Sequence, residues 1–366
     1  MRVKLEDVCE RGTSSLMQKD IADKSGSYPV YGASGCIGSL NSYQQENKTV
    51  AVVKDGAGIG RTMILPEKSS IIGTMQFLIP KDCVEPEYLY YVVKYMHLEK
   101  YFSGATIPHI YFRDYKAEEF NLHDKEEQNK IVDILKKVEN VIADRQQQLT
   151  ALDSLIKARF VEMFGAPDHG KSECMQYPLG KVCELNPKKG KDDRLQSGLQ
   201  ISFVPMPAVS ENGKLDASLI KTYEEVKTGF TYFAENDVLF AKITPCMENG
   251  KGAIATKLKN GIGFGSTEFH VLRPIKGKTN PYWIYELTSF EQFRQAAAKN
   301  MTGSAGQRRV PASFLENYSI SLPPIELQND FAAFVEEVDK SRLLGIFFEK
   351  ALAICTKCVQ NRSWEV

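Results

Sequence analysis

The sequence predicts an α+β protein: two pseudo-repeated α/β domains, separated by two long antiparallel helices that form a coiled-coil rod. Three observations predict it. Five sequence blocks recur in the same order. Two stretches carry heptad-spaced apolar residues and no proline. Hydrophobic residues make up 43% and charged residues 25% of the 366 residues, a globular rather than a disordered composition. At roughly 150 residues per domain, that length suits two or three domains.

The repeat opens with VKLEDVCE (3–10), matched by YPLGKVCE (177–184). TVAVVKDGAGIGRTMIL (49–65) is matched by DVLFAKITPCMENGKGAIA (237–255), each an apolar strand followed by a Gly-containing turn. IIGTMQFLIP (71–80) pairs with GFGSTEFHVLRP (263–274), and PEYLYYVV (86–93) with NPYWIYEL (280–287). The last block, 120–139 against 320–339, keeps Leu122/Leu322, Glu126/Glu326, Gln128/Gln328, Asn129/Asn329 and Val138/Val338. Runs of β-branched and aromatic residues predict strands at Val50–Lys54, Thr62–Leu65, Met75–Ile79, Val238–Ile243 and Glu268–Leu272. Pro86–Tyr101 and Pro281–Lys299 read as helices. Gly56, Gly58 and Gly60 have the wrong spacing for a dinucleotide loop and precede a strand, so a tight hairpin with positive φ is expected.

The long helices come next. Between Asp124 and Phe164 there is no Gly or Pro, and Leu135, Ile142, Leu149 and Ile156 repeat every seven residues. Gly165 and Pro167 end the helix. In the second copy Phe331, Val338, Leu352 and Val359 lie on the same period, over a helix expected from Ile325 to Asn361. A lone apolar stripe would face water, whereas two of similar length bury each other. The expected boundaries are 1–120 and 166–320 for the two α/β domains, 121–165 for the central helix and 321–366 for the distal helix. Ile134, Val141 and Leu155 widen the first stripe into a docking or solvated face.

Composition narrows the function. Lys+Arg and Asp+Glu are each 46, so neutralisation of phosphate by net charge is not expected, although local basic patches remain open. No run of 18 apolar residues predicts a membrane span, and the N-terminus lacks the apolar core of an export signal, so a cytoplasmic protein is expected. The eight cysteines are then expected as free thiols. Cys355-x-x-Cys358 has no second ligand pair, so neither metal nor cofactor is expected.

This ordered, duplicated set of blocks resembles the specificity (DNA-recognition) subunits of type I restriction–modification systems. The residues that carry the likeness are Phe240–Ala253 with Gly265–Phe269, Thr302–Gln307, and Leu322–Gln328 opening a helix. In the first copy they are Gly56–Gly60, Gly73–Thr74 and Glu126–Gln128. Asp124 stands where the second copy has the first of its two prolines, and the Thr-Pro-Cys turn is missing from copy one. The resemblance implies a non-catalytic protein whose two domains each read half of a split site in double-stranded DNA. It also implies docking of two methyltransferase subunits and association with motor-endonuclease subunits. The residues agree on the absence of catalysis. Asn186-Pro187 and Asn280-Pro281 lack the second proline of an adenine methyltransferase motif, and Glu225-Val-Lys227 is a common chance triplet.

Residues 292–315 hold Arg294, Lys299, Arg308 and Arg309 and no acid, the clearest basic patch for DNA contact. Lys242, Thr244 and Lys251 flank a turn and suit phosphates, and Ser266, Thr267 and Glu268 suit base edges or backbone caps. The first-copy equivalents are Lys54, Arg61, Thr74 and Gln76, with His109, Tyr111 and Arg113 matching the later loop. Two alternatives stay open: a scaffold whose domains bind proteins, and the recognition part of a fused restriction enzyme.

Overall fold

A computed structural model describes residues 1–22, 25–103, 108–166, 175–191, 194–304 and 306–342. Two compact units divide the described chain, unit 1 as Met1–Gln146 and unit 2 from Gln147 onward.

Unit 1 contains β1 (Arg2–Lys4), α1 (Leu5–Val8), β2 (Cys9–Thr13), β3 (Tyr28–Gly32), β4 (Gly35–Leu40), β5 (Thr49–Val53), β6 (Thr62–Leu65), β7 (Ser70–Ile71) and β8 (Met75–Pro80). It continues with α2 (Pro86–Tyr95), α3 (Phe112–Tyr115), β9 (Glu119–Asn121) and the start of α4 (Lys125–Phe164). The main sheet has the order β2–β8–β5–β6, and β4–β3–β7 form a second. Every residue of β5 is buried, because the strand is sandwiched. Its alternating side chains divide between two cores. Val50 and Val52 pack with Leu89 and Val93 of α2, whereas Ala51 and Val53 pack with Ile71 and Phe77. β1 pairs with β9, Val3 opposite Phe120, which brings the unit's first strand to the entry of α4.

Unit 2 repeats this plan. Its strands are β10 (Gln176–Pro178), β11 (Cys183–Leu185), β12 (Gln200–Val204), β13 (Ile220–Thr222), β14 (Thr231–Ala234), β15 (Val238–Ala241), β16 (Gly252–Ile254), β17 (Ile262–Gly265), β18 (Phe269–Pro274) and β19 (Ser319–Ser321). Its short helices are α5 (Tyr223–Val226), α6 (Pro281–Ser289), α7 (Glu291–Lys299) and α8 (Ala312–Asn317). The order β11–β18–β15–β16 matches the main sheet of unit 1 strand for strand. β12 runs parallel to β17 as β3 does to β7, and β14 is an addition on the far side of β17. Val238 and Phe240 face the helical core and Leu239 and Ala241 the opposite one, the same division as in β5. Tyr177 sits opposite Ile320, as Val3 does Phe120.

Two repeated residues lock this plan. Gln128 and Gln328 are fully buried in the first turns of their helices. Gln128 accepts the Glu85 N–H at 2.8 Å and donates to the carbonyls of Cys83 and His123. Gln328 accepts the Asn280 N–H at 2.9 Å and donates to Lys278 and Pro323. Each amide therefore ties the start of its long helix to the cap of α2 or α6. The buried thiols of Cys9 and Cys183 are also equivalent, donating to Leu5 and Leu179, and burial pushes each up to about 12.

The helices depart from expectation in three places. α2 stops at Tyr95, because His97 takes a left-handed conformation (φ +52°). Pro281–Lys299 breaks into α6 and α7 at Phe290 (ψ +143°), whose buried ring packs on Phe160 at 5.1 Å. The β5–β6 connection is not a tight hairpin. It is a loop over 54–61 with positive φ at Gly56 and Gly60, held open by a hydrogen bond from Gly56 N–H to Pro108 O at 2.9 Å.

α4 is a single 40-residue helix. Residues 325–342 form a second helix. Within unit 2 the end of α4 and the start of the 325–342 helix pack antiparallel. The rings of Phe160 and Phe164 lie 5.5 and 5.6 Å from Phe331, Arg159 covers Phe334, and Asp153 pairs with Arg342. Ile156 and Val338 are buried in the same cluster, with Val335 beside them. Leu135 departs from its expected role as a seam residue. It packs into the core of unit 1 with Ile131 and Val132, because the first turns of α4 cover their own domain. Ile142 is 38% exposed. Leu352, Val359 and Cys355-x-x-Cys358 lie outside the described residues.

Candidate nucleic-acid interface

Each unit brings two loops together at one end of its main sheet. In unit 1 the loop after β5 meets a loop closed by reciprocal backbone bonds between Ser103 and His109 (2.9 and 2.8 Å). In unit 2 the loop after β15 meets one closed by the same pair of bonds between Thr302 and Arg309 (2.9 and 2.8 Å). The joins agree bond for bond. Ile110 N–H donates to Lys54 O and Val310 N–H to Lys242 O, each at 2.9 Å. Gly56 N–H donates to Pro108 O, and Thr244 N–H to Arg308 O. Val53 N–H donates to Arg61 O, and Ala241 N–H to Lys251 O. Lys54 N–H donates to Thr74 O, and Lys242 N–H to Glu268 O. These bonds put Lys54 at the place of Lys242, Arg61 at that of Lys251, Thr74 at that of Glu268 and His109 at that of Arg309.

The side chains on this common frame differ. In unit 2 the Arg309 guanidinium grips Glu268 through Nε and Nη2 (2.9 and 2.8 Å) and donates from Nη1 to Gln307 O at 3.0 Å. That bidentate bond holds the Glu268 carboxyl below its usual range, outweighing partial burial. Thr244 donates to Glu248 at 2.9 Å, and Arg308 approaches the same carboxylate at 3.8 Å. Ser266 accepts the Glu268 N–H in a short turn that leaves Thr267 exposed. Lys242 and Lys251 are half-buried, and Lys299 is exposed.

In unit 1 Asp55 lies between Lys54 (2.5 Å) and His109 Nδ1 (2.7 Å). Burial would raise the Asp55 carboxyl, but the bonds from Lys54 and His109 hold it below its ordinary value. The His109 ring stacks on Tyr111 at 6.3 Å, and the Arg113 guanidinium covers Tyr111 at 4.7 Å. Arg61 reaches Ala33 O at 2.7 Å, and Thr74 is exposed.

Three expectations change. Gln76 is 2% exposed and bonds Tyr115, so it belongs to the core and not to a DNA-facing surface. Arg294 braces the turn: Nη1 donates to Ser289 O at 2.5 Å, and the guanidinium fills the space beside Gly250. The acid-free stretch 292–315 is also not a naked basic patch, since Glu248 and Glu268 reach it from other loops. Asp55 and Glu248 are the residues that composition by segment misses. The only sequence signal for Asp55 is its place beside Lys54.

The remaining enzymatic motifs have structural roles. Asn280 caps α6, accepting the Tyr282 N–H at 2.9 Å. Glu225 accepts from Thr222 at the start of α5. Among the described residues, no group of three or more His, Cys, Asp or Glu is placed to hold a metal, and no helix is long and apolar enough to cross a membrane.

Comparisons with known proteins agree with this duplicated frame. The family described as Type I restriction modification DNA specificity domain matches residues 1–152 and 171–344. The specificity subunit of the type I restriction enzyme EcoEI of Escherichia coli is 40% identical over 185 residues, 50% of this chain and 28% of that protein. The EcoAI specificity subunit, also from Escherichia coli, is 45% identical over 153 residues, 41% of this chain and 25% of that protein. The matches thus span about a quarter of the length of these curated relatives. The crystal structure of a type I restriction-modification system S subunit from M. genitalium shares the fold, with a TM-score of 0.56 at 12% identity, over 100% of this chain and 96% of that one. A second structure, described in connection with complex assembly and conformational transition of the type I restriction-modification system, has a TM-score of 0.51 at 15% identity, over 99% of this chain and 95% of that one. Matched in both of its copies, the chain belongs to the family of type I restriction modification DNA specificity domains.

Proposed function

We propose that this chain is the sequence-specificity subunit of a type I restriction–modification complex. Residues 1–120 and 166–320 each read one half of a split site in double-stranded DNA. Residues 121–165 and 321–366 serve as the helical spacer, with Leu149, Leu352 and Val359 in its seam. The chain itself is non-catalytic and works in the cytoplasm. Two methyltransferase subunits dock on it and supply methylation, and motor-endonuclease subunits supply cleavage.

One observation carries the reading: the family match covers both copies, and the same paired loops recur in each with matching hydrogen bonds. A duplicated reader suits a split site. Lys54, Arg61, Thr74, Tyr111, Arg113, Lys242, Thr244, Lys251, Ser266, Thr267, Lys299 and Arg308 are assigned to the DNA-facing surface, with phosphate contacts from the lysines.

The test is to co-express the chain with its methyltransferase subunit and map methylated adenines across a genome. A two-part motif with a fixed spacer is expected, and binding to duplex DNA should fall steeply with salt. Zero net charge and the carboxylate partners of Arg308 and Arg309 favour a protein-binding scaffold as the second reading. Salt-insensitive binding with no motif would establish that scaffold instead.

A further inference from the structure

His109 and Arg309 occupy one position in the repeated frame. Each closes its loop with two backbone bonds, and each is followed by a residue whose N–H donates to the lysine carbonyl after the central strand. Each side chain is also held by a carboxylate, but from a different place. His109 is held by Asp55, in the loop after β5, and Arg309 by Glu268, at the entry to β18. Two unrelated acids thus perform one task, which is to fix the direction of a polar side chain at the closure of a loop. A merely solvated loop has no need of that.

The polar edges left over are opposite in kind. A guanidinium has five N–H groups, of which Arg309 uses three; one remains on each terminal nitrogen. Those two can only donate. The Asp55 carboxylate can only accept, so the His109 Nδ1–H donates to it, the tautomer that leaves Nε2 as an acceptor. Nε2 has no hydrogen-bond partner among the described residues, and the side chain is 36% exposed.

We propose that residues 109 and 309 are the specificity-determining side chains of the two units, with Asp55 and Glu268 as their positioning residues. This rests on the proposed recognition of a split site. Arg309 donates to an acceptor edge, as guanine presents in the major groove. His109 accepts through Nε2 from an exocyclic amino group of adenine or cytosine. The groups facing the His109 ring are Asp55 and the stacked Tyr111, with Lys54 behind Asp55 and Arg113 over Tyr111.

The experiment uses the full chain in complex with its methyltransferase subunit. Duplexes carrying every single-base-pair change of the mapped site compete for binding. The wild type should discriminate about 10- to 100-fold at one base pair in each half. Arg309→Ala should abolish this in one half. His109→Ala should abolish it in the other half. Asp55→Asn and Glu268→Gln should lower discrimination with a smaller loss of overall affinity. The untouched half in each variant reports that the protein is folded. A wild type that selects no split site overturns both the recognition function and this proposal. A split site that both alanine variants read unchanged, with only uniform weakening, overturns the proposal alone.

Discussion

Unit 1 places Thr49 and Ile79 where unit 2 places Asp237 and Arg273. The positions adjoin the paired residues Val50–Leu78 and Val238–Leu272 in the matching sheets. Arg273 Nε and Nη2 meet the Asp237 carboxylate at 2.8 and 2.7 Å, Ala234 N–H adds a third bond, and Asp237 is 1% exposed. In unit 1 the Thr49 hydroxyl is buried with no partner among the described residues. One sheet thus tolerates either an ion pair or an uncharged pair at the same site. The repeat preserves the backbone register here, while the side chains change from an uncharged pair to an ion pair.

The largest effect should come from breaking that balance. Arg273→Ile alone leaves Asp237 buried without its partner and should destabilise unit 2 by about 3–5 kcal/mol in urea unfolding. The double variant Asp237→Thr/Arg273→Ile imports the pair of unit 1 and should recover most of the loss. A double variant as unstable as the single one would show that the two sheets are not interchangeable here.

The glutamine locks sharpen the comparison from the other side, since here the units are alike. Gln128→Ala or Gln328→Ala strands one buried N–H and two carbonyls. Each should cost about 2–3 kcal/mol. Hydrogen exchange should quicken at Glu85 N–H in the first variant and at Asn280 N–H in the second, each without change in the other unit. Unequal losses, with one variant near neutral, would mean that only one copy depends on the lock.

These two comparisons explain what was legible in the sequence. The repeat, the positions of the central strands and the first long helix were, because they rest on local apolar periodicity and on residues such as Gln128 and Gln328 that both copies keep. The break at Phe290 was not, since an extended residue between two helical runs is stabilised by the distant ring of Phe160. Leu135 fits the heptad as well as Ile156 does, and only tertiary packing sends the first into a domain core and the second into the helix pair. The candidate interface was half legible. The alignment of the copies put Lys54, Arg61 and His109 at the same places in the repeated frame as Lys242, Lys251 and Arg309. Its electrostatics did not, because Glu248 and Glu268 are far in sequence from the arginines they neutralise. Gln76 was misassigned because alternation along β8 does not reveal that both faces are covered.

The smallest effect separates the two loop closures by acid titration. Glu268 and Asp55 both have carboxyl values held below the unfolded ones, Glu268 chiefly by Arg309 and Asp55 by Lys54 and His109 against its burial. A depressed carboxylate stabilises the fold above its unfolded value, about 4, and loses that contribution as pH falls through the lower folded value. Carboxyl carbon shifts measured by NMR against pH read this directly. Arg309→Ala removes the main partner of Glu268, so its midpoint should rise towards that of a free glutamate while Asp55 stays fixed. His109→Ala should move Asp55 upward by less, because Lys54 remains at 2.5 Å. Glu268 titrating as an ordinary glutamate in the wild type would mean that Arg309 is not held, and the oriented donor at that loop closure would lose its physical basis.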